Sequence, residues 1–428
     1  MEKLPMATIS TENFENCVPS ARVMRALYGD AAAASAPRFA KLAKRHSETF
    51  GSAPDAFFSS PGRIEIVGNH TDHNAGKVLA AAVTVDTLGA VAPRDDGVIE
   101  VKSENYPMLR VSLDDLAFRQ AELGTSVALI KGVAEYFVRA GKRTGGFTAC
   151  MDSCVPKGSG VSSSSSFELI IAEILNHYYN DGALDPIFKA KASQYAENVY
   201  FGKPSGLMDQ SAIALGGVNM IDFRSFDNPV VEKAVWRFED LEIFVVATGG
   251  DHSDLTDDYA AIPAEMKTVA EALGGKLLRD IEPGKFYAAE DGLRGKIAPR
   301  ALLRAEHFFE ENVRVERALK AVGDCDEGTF LSIVNESGRS SAEKLQNLYS
   351  VHGDHLIEEA LAKVAPVDGV LASRVHGGGF AGTILLFVAK DRSDAVNEWL
   401  KSEFGKDNVF RLLIREPGAC RIALTEEV

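Results

Sequence analysis

The sequence predicts an α+β protein of two domains, and three observations carry that expectation. The first is length: 428 residues exceed the size at which a single hydrophobic core keeps growing, so the chain is expected to divide. The second is a mixture of periodicities, with short alternating or apolar runs of strand length interleaved with stretches whose apolar residues recur at helical spacing. The third is punctuation: glycine- and proline-containing breaks separate these runs, with no repeat of constant period and no long disordered linker. The division is weakly marked within 222–240, which gives expected domains of 1–230 and 231–428.

Composition narrows the class. With 46% hydrophobic and 25% charged residues, the chain has the balance of a folded globular protein. A net charge of -15 argues against nonspecific nucleic-acid binding, which needs a basic footprint. It leaves room for an anionic cofactor held locally by backbone N–H groups and a metal. The longest apolar runs, 78–85 and 384–388, fall far short of the roughly 20 residues a membrane helix needs. The first residues lack the basic end and apolar stretch of a secretory signal. Cys17, Cys150, Cys154, Cys325 and Cys420 are scattered and complete no tetrahedral zinc set, so reduced thiols and a cytoplasmic location are expected. The patterns specify no oligomeric state.

Along the chain, the first fifty residues read as helical. A Ser-Ser-Pro-Gly break at 59–62 opens an alternating strand at 63–67, and further strands are expected at 77–86 and within 97–111. Helical spacing marks 126–140, and 147–151 reads as a strand entering a glycine-serine loop, followed at once by the apolar helix candidate FELIIAEILNHYY. Another helix is expected at 188–199 and strand-like sequence up to Asp222. A buried strand at 241–247 follows, then helices at 259–274, 298–323 and 341–363. The C-terminal part supplies a glycine-rich bend feeding an apolar strand near 384–388, and two short strands around Pro417-Gly418.

Three segments carry chemistry. In PKGSGVSSSSS, glycines 158 and 160 permit tight turns, and the residues after them open a helix whose first N–H groups have no intrahelical acceptor. Such groups surround phosphate oxygens well, and serine hydroxyls add hydrogen bonds or a magnesium ligand, with Glu197 a candidate acid for the same ion. The competing reading is a flexible serine-rich linker; a helix to cap immediately downstream counts against it. The loop lacks the Gly-Lys-Ser/Thr ending of the common nucleotide loop. The second segment crowds Arg63, Asn69, His70, Asp72, His73 and Asn74 between two strands, where a polyhydroxylated ligand would find converging donors and acceptors, or a polar turn would bond its own backbone. The third, PSGLMDQ, offers Asp209 as a carboxylate that takes the proton of an attacking hydroxyl, with Arg63 to offset phosphoryl charge and Gln210 to orient the acid. Read alone, an aspartate such as Asp209 is more often a turn or helix-cap residue.

Taken in order, SSPGRIEIVGNHTDHNAGKVL, VPKGSGVSSSSSFEL, FGKPSGLMDQ, VNESGRSSAEKLQNLYSV and SRVHGGGFAGTILLFV resemble the GHMP small-molecule kinases, the galactokinases in particular. That resemblance implies an N-terminal domain like domain 2 of ribosomal protein S5, a ferredoxin-like C-terminal domain and an active site between them. It implies ATP and Mg2+ as cofactors and a small sugar as substrate, phosphorylated at its anomeric hydroxyl. Asp209 and Arg63 match the catalytic pair, and Asn69, His70 and Asp72 occupy sugar-recognition positions, joined by Tyr259 in SDLTDDYAAIP. Lys157, Gly158, Ser159, Gly160, Val161, Ser162, Ser163 and Ser164 match the phosphate loop, and Ser164 with Glu197 the magnesium-associated pair. One departure stands out. Where galactokinases read Gly-Glu-His-Thr-Asp-Tyr-Asn, this chain has Gly68-Asn69-His70-Thr71-Asp72-His73-Asn74, so an amide replaces the glutamate on the C6 side of the sugar.

Overall fold

A computed structural model of the chain describes residues 14, 17–156, 160–249, 256–349, 355–380 and 382–424. Its first part runs α1 (Ala21–Tyr28), α2 (Ala32–Phe50), β1 (Ala56–Val67), β2 (Lys77–Arg94), β3 (Val98–Ser103), β4 (Leu109–Ser112), α3 (Ser126–Arg139) and β5 (Gly146–Ser153). Then come α4 (Ser163–Tyr179), α5 (Pro186–Tyr195), α6 (Met208–Leu215), β6 (Val218–Asp222) and β7 (Val230–Ala234). The remainder is β8 (Leu241–Ala247), α7 (Thr256–Ala272), α8 (Pro283–Leu293), α9 (Pro299–Gly323), α10 (Glu327–Ser340) and α11 (Leu356–Val364). It finishes with β9 (Val370–His376), β10 (Thr383–Ala389), α12 (Ser393–Phe404), β11 (Val409–Leu412) and β12 (Cys420–Ile422).

Two sheets organise these elements. The larger has the order β12-β1-β2-β5-β3-β4, with β6 and β7 added along another stretch of β2; the smaller has the order β11-β8-β10-β9. Every residue of β1 is buried, because helices cover both faces of its first half. Phe57 packs with Phe39 and Leu42 of α2, whereas Phe58 packs with Ile170 of α4 and Val133 of α3. In its second half, Ile64 and Ile66 join Val245, Leu385 and Phe387 of the smaller sheet and Val315 and Ile333 of α9 and α10 in one continuous core. The polar set of the alternation at 63–67 is not in solvent either: Arg63 is buried against Asp209 of α6, and Glu65 against Arg374 of β9.

Several expected elements have moved limits. The strand expected at 77–86 continues to Arg94, since β1 pairs with it as far as Val91 and β5 pairs with it from Thr87 to Arg94. The helix after the glycine-serine loop starts inside the serine run, at Ser163. The helix expected at 341–363 is broken: α10 passes into a wide π turn at Ser341–Leu345, and Gln346 is left-handed with φ 57°. The expected division at 230/231 falls on β7, which belongs to the larger sheet; the chain changes sheets between Ala234 and Leu241, and β12 returns to pair with β1. All five cysteines are unpaired. Among the described residues, no helix is long and apolar enough to cross a membrane.

Candidate active site

A bulge in the β1–β2 pairing at Pro61/Gly62 sets the site. A side chain at Gly62 would come within 2.9 Å of the Val161 carbonyl, so only glycine lets the strand pass this close to the loop. The next residue, Arg63, donates its backbone N–H to that carbonyl at 3.1 Å. Its guanidinium then grips Asp209, at the start of α6, with two parallel bonds: Nε to Oδ1 at 2.8 Å and Nη2 to Oδ2 at 2.7 Å. The Arg63 Nη1 also donates to the Gly160 carbonyl. Ser162, left-handed at φ 64° where the loop turns into α4, donates its hydroxyl to Asp209 Oδ2 at 2.7 Å. Burial opposes ionisation of Asp209, but Arg63 and the Ser162 hydroxyl outweigh it and hold the carboxyl below its ordinary value. About a quarter of the Asp209 side chain stays open, 28% against 6% for Arg63.

Beside this pair lies a second acidic group. The wide π turn Ala196–Phe201 after α5 buries Glu197, whose Oε1 accepts from Ser164 Oγ at 3.0 Å and from Lys203 Nζ at 3.1 Å. Gln210, expected to orient Asp209, instead donates Nε2 to Glu197 Oε2 at 2.8 Å. Glu168, one turn along α4 from Ser164, is buried with neither carboxylate oxygen in a hydrogen bond. Burial, then the neighbouring charge of Glu197, pushes its carboxyl well above the ordinary range. A buried carboxyl without a hydrogen-bond partner close to a second acid that holds a serine hydroxyl offers the oxygen donors a hard divalent cation prefers, so Ser164 and Glu197 fit a magnesium ion.

The expected sugar residues gather at the glycine bend between β9 and β10. Asn69 is fully buried and its amide is spent internally: Nδ2 donates to Glu65 Oε1 at 3.0 Å and to the Gly377 carbonyl at 2.8 Å, while Oδ1 accepts from Asn347 at 2.9 Å and Ser341 at 3.3 Å. His70, left-handed at φ 56°, bonds the Gly378 carbonyl through Nε2 at 2.9 Å. Tyr259 on α7 donates to the Gly379 carbonyl at 3.2 Å. Three successive carbonyls of the bend are thus held by three expected sugar residues. Asp72 lies apart from this clamp, with its Oδ2 against Gly206; a Cβ built at Gly206 would sit 1.7 Å from that oxygen. Of the loop residues, Ser163 opens α4, Val161 is buried and contributes its carbonyl, and Lys157, Gly158 and Ser159 lie outside the described residues.

Sequence reasoning passed over Lys203, Glu168, Glu65, Arg374 and His376. Arg374 is fully buried, donating to the Ile66 carbonyl at 2.8 Å and to Glu65 at 3.2 Å. His376 accepts the Glu65 backbone N–H at 3.1 Å and lies against Gly160. The signal for both was available, since Arg374 and His376 stand immediately before the glycine bend; Lys203 likewise stands inside the segment that carries Asp209.

Comparison with known proteins identifies the family. Residues 44–93 match the galactokinase galactose-binding signature, and residues 128–217 match the N-terminal domain of GHMP kinases. The chain is 33% identical over 371 residues to the galactokinase of Streptococcus suis (strain 05ZYH33), covering 84% of this chain and 91% of that one. It is 32% identical over 375 residues to the galactokinase of Streptococcus mutans serotype c, covering 84% and 91%. The crystal structure of Lactococcus lactis galactokinase complexed with galactose superposes with a TM-score of 0.77 at 25% identity, covering 89% of this chain and 98% of that one. The two sheets and their helices form the two-domain architecture of these kinases. The chain belongs to the GHMP kinase family, whose chemistry is the ATP-dependent phosphorylation of a small sugar or alcohol.

Proposed function

We propose that the protein transfers the terminal phosphoryl group of ATP to the anomeric hydroxyl of galactose or a closely related hexose, giving a sugar 1-phosphate and ADP. The observation that carries this reading is the two-bond Arg63–Asp209 pair under the glycine-serine loop. An ionised carboxylate has about four acceptor positions, and Arg63 and Ser162 use three on Asp209. The remaining one, on Oδ1, is available to orient a hydroxyl and take its proton as the hydroxyl attacks. Arg63 stays close enough to offset charge on the phosphoryl oxygens, and the first N–H groups of α4 hold the other phosphates. Mg2+ bound at Ser164 and Glu197 would neutralise phosphate charge. The galactose in the complexed relative, and the galactose-binding signature over 44–93, support a sugar as acceptor. The smaller sheet and larger sheet are proposed to be the ferredoxin-like and S5-like domains, and the unpaired cysteines support a cytoplasmic site of action.

Asn69 favours a second reading, in which a galactose-like uronate, amino sugar or arabinose is accepted. The side chain is neutral, is engaged on all sides and leaves no ionised group of its own to repel a C6 carboxylate. Both readings are tested by following sugar 1-phosphate formation from Mg·ATP by phosphorus NMR with galactose, N-acetylgalactosamine, arabinose and galacturonate. Sugar 1-phosphate is expected; none from any sugar, with sugar binding intact, would point to an inert sugar-binding protein. For the second reading, kcat/KM for galacturonate is expected within about tenfold of that for galactose, a gap of about 1.4 kcal/mol. Strict galactose preference rejects it.

Gly206 supplies a further check. Gly206→Ala forces a methyl group onto Asp72 Oδ2. A displacement of about 1 Å at a substrate-positioning carboxylate lowers kcat/KM by up to about 100-fold. The loss is expected mainly in the acceptor KM, with ATP KM little changed. Equal effects on both substrates would remove Asp72 from the acceptor side.

A further inference from the structure

Lys203 stands where the kinase reading leaves a role unassigned. It follows Gly202, left-handed at φ 86°, and its own N–H bonds the Glu197 carbonyl at 3.0 Å, which ties the base of the side chain to the acid it pairs with. The ammonium shares Glu197 Oε1 with the Ser164 hydroxyl, the oxygen and the serine that fit the divalent cation. The two partners differ sharply in freedom: the Lys203 side chain is 62% exposed, that of Glu197 only 2%. The acid is fixed by Gln210 and Ser164, whereas the lysine sits on a flexible stem with open space around it.

The surrounding charges say where that ammonium goes when it leaves. Glu197 holds the ammonium at 3.1 Å, and the Asp209 carboxylate also attracts it. Glu168 adds a third acidic side chain close by. Arg63 is committed to Asp209 and to the Gly160 carbonyl. Lys203 therefore lies within electrostatic reach of both the cation-binding acid and the proposed base, which flank the position of a phosphoryl group in transfer.

We propose that Lys203 is a placeholder cation: it neutralises Glu197 in the nucleotide-free protein, releases that carboxylate when a divalent ion binds there, and turns its ammonium onto the phosphate oxygens. The proposal rests on the kinase reading for its second half only. An ion that must displace an ammonium binds less tightly than it would to a vacant carboxylate, while nucleotide binding gains a charge-assisted hydrogen bond. Removing the ammonium should thus move two affinities in opposite directions.

The test compares wild type, Lys203→Met and Lys203→Arg, with an unchanged melting temperature as the control for folding. Binding of Mn2+ alone is read by electron paramagnetic resonance, and binding of Mg·AMPPNP by calorimetry, neither of which requires the correct sugar. Lys203→Met is expected to bind free Mn2+ about three- to fivefold more tightly, the scale of a partly exposed ion pair. It should bind Mg·AMPPNP about tenfold more weakly, the scale of one hydrogen bond to a charged group. Lys203→Arg should keep Mg·AMPPNP affinity within about threefold of wild type, because it keeps the charge. Affinities that move together, or do not move, overturn the proposal. A wild type that binds Mg·AMPPNP but phosphorylates none of the four sugars would defeat the acceptor assignment and leave this result standing.

Discussion

Asp209→Asn is expected to lower kcat by about 10²- to 10⁴-fold, the range that one positioned proton acceptor supplies. Binding of Mg·ATP and of the sugar should change far less, since no phosphate contact is lost. The structure makes this substitution harsher than its size suggests. Both Asp209 oxygens accept from Arg63, and Oδ2 also accepts from Ser162. An amide offers one acceptor and one donor, so its NH2 would face either the Arg63 Nε–H or the Nη2–H and Ser162 donors. The guanidinium would turn away, and its grip on the Gly160 carbonyl would go with it. Steady-state rates with calorimetric binding of both substrates check this. A variant that binds both and transfers at the wild-type rate would remove Asp209 as the base, and a loss of only about tenfold would make it a positioning group.

Stability is expected to fall as the protein is acidified from about pH 6.5 toward pH 5. Four buried histidines drive it, His46 and His307 through burial of their rings and, at the site, His70 and His376. Burial, helped by the neighbouring His73, pushes the His70 pKa down to about 3. Burial, then the charges of Arg63 and Arg374, pushes His376 well below its usual value. In the unfolded chain each titrates near about 6.5. Because the folded values are the lower ones, the unfolded state takes up more protons below that pH. The stabilisation is thus complete above about pH 6.5 and is lost as pH falls, by about 1.4 kcal/mol per unit for each histidine. Two buried carboxyls oppose the trend: burial raises Glu65 and Glu168 above the ordinary carboxyl value, so the folded protein takes up their protons before the unfolded chain does. Geometry explains why His376 resists a second proton: its Nε2 accepts the Glu65 N–H, so protonation there breaks a bond joining β1 to β9. Urea unfolding at several pH values measures the slope. His376→Gln, whose carbonyl can accept the same N–H, should reduce it by about 1.4 kcal/mol per pH unit, and a flat profile in the wild type defeats the account.

Sequence periodicity was informative where one cause dominated. The run 241–247 is a strand with those limits, since its apolar residues are enclosed by neighbours in the smaller sheet, and the helix expected at 298–323 begins one residue later, at Pro299. It failed where tertiary contacts override local preference. The 341–363 segment has helical composition, yet Ser341 and Asn347 are drawn off to hold Asn69, and the chain breaks there. The Arg63–Asp209 and Ser164–Glu197 contacts were legible through the segments that hold these residues and the family those segments resemble. The partners of Asn69 were not: Glu65, Asn347 and Gly377 span more than 300 positions, a distance over which no periodicity carries information. Gln210 illustrates the same limit on a small scale. Adjacent to Asp209 in sequence, it points along the helix toward a different acid.

The pairing of β12 with β1 bears on how the polypeptide is made. Phe57 and Ile422 face each other across this edge, so the larger sheet is not complete until Cys420–Ile422 have left the ribosome, long after β1. Until then the nascent β1 edge is open to other strands, and early folding must proceed on the β1–β2–β5 segment with α3 and α4.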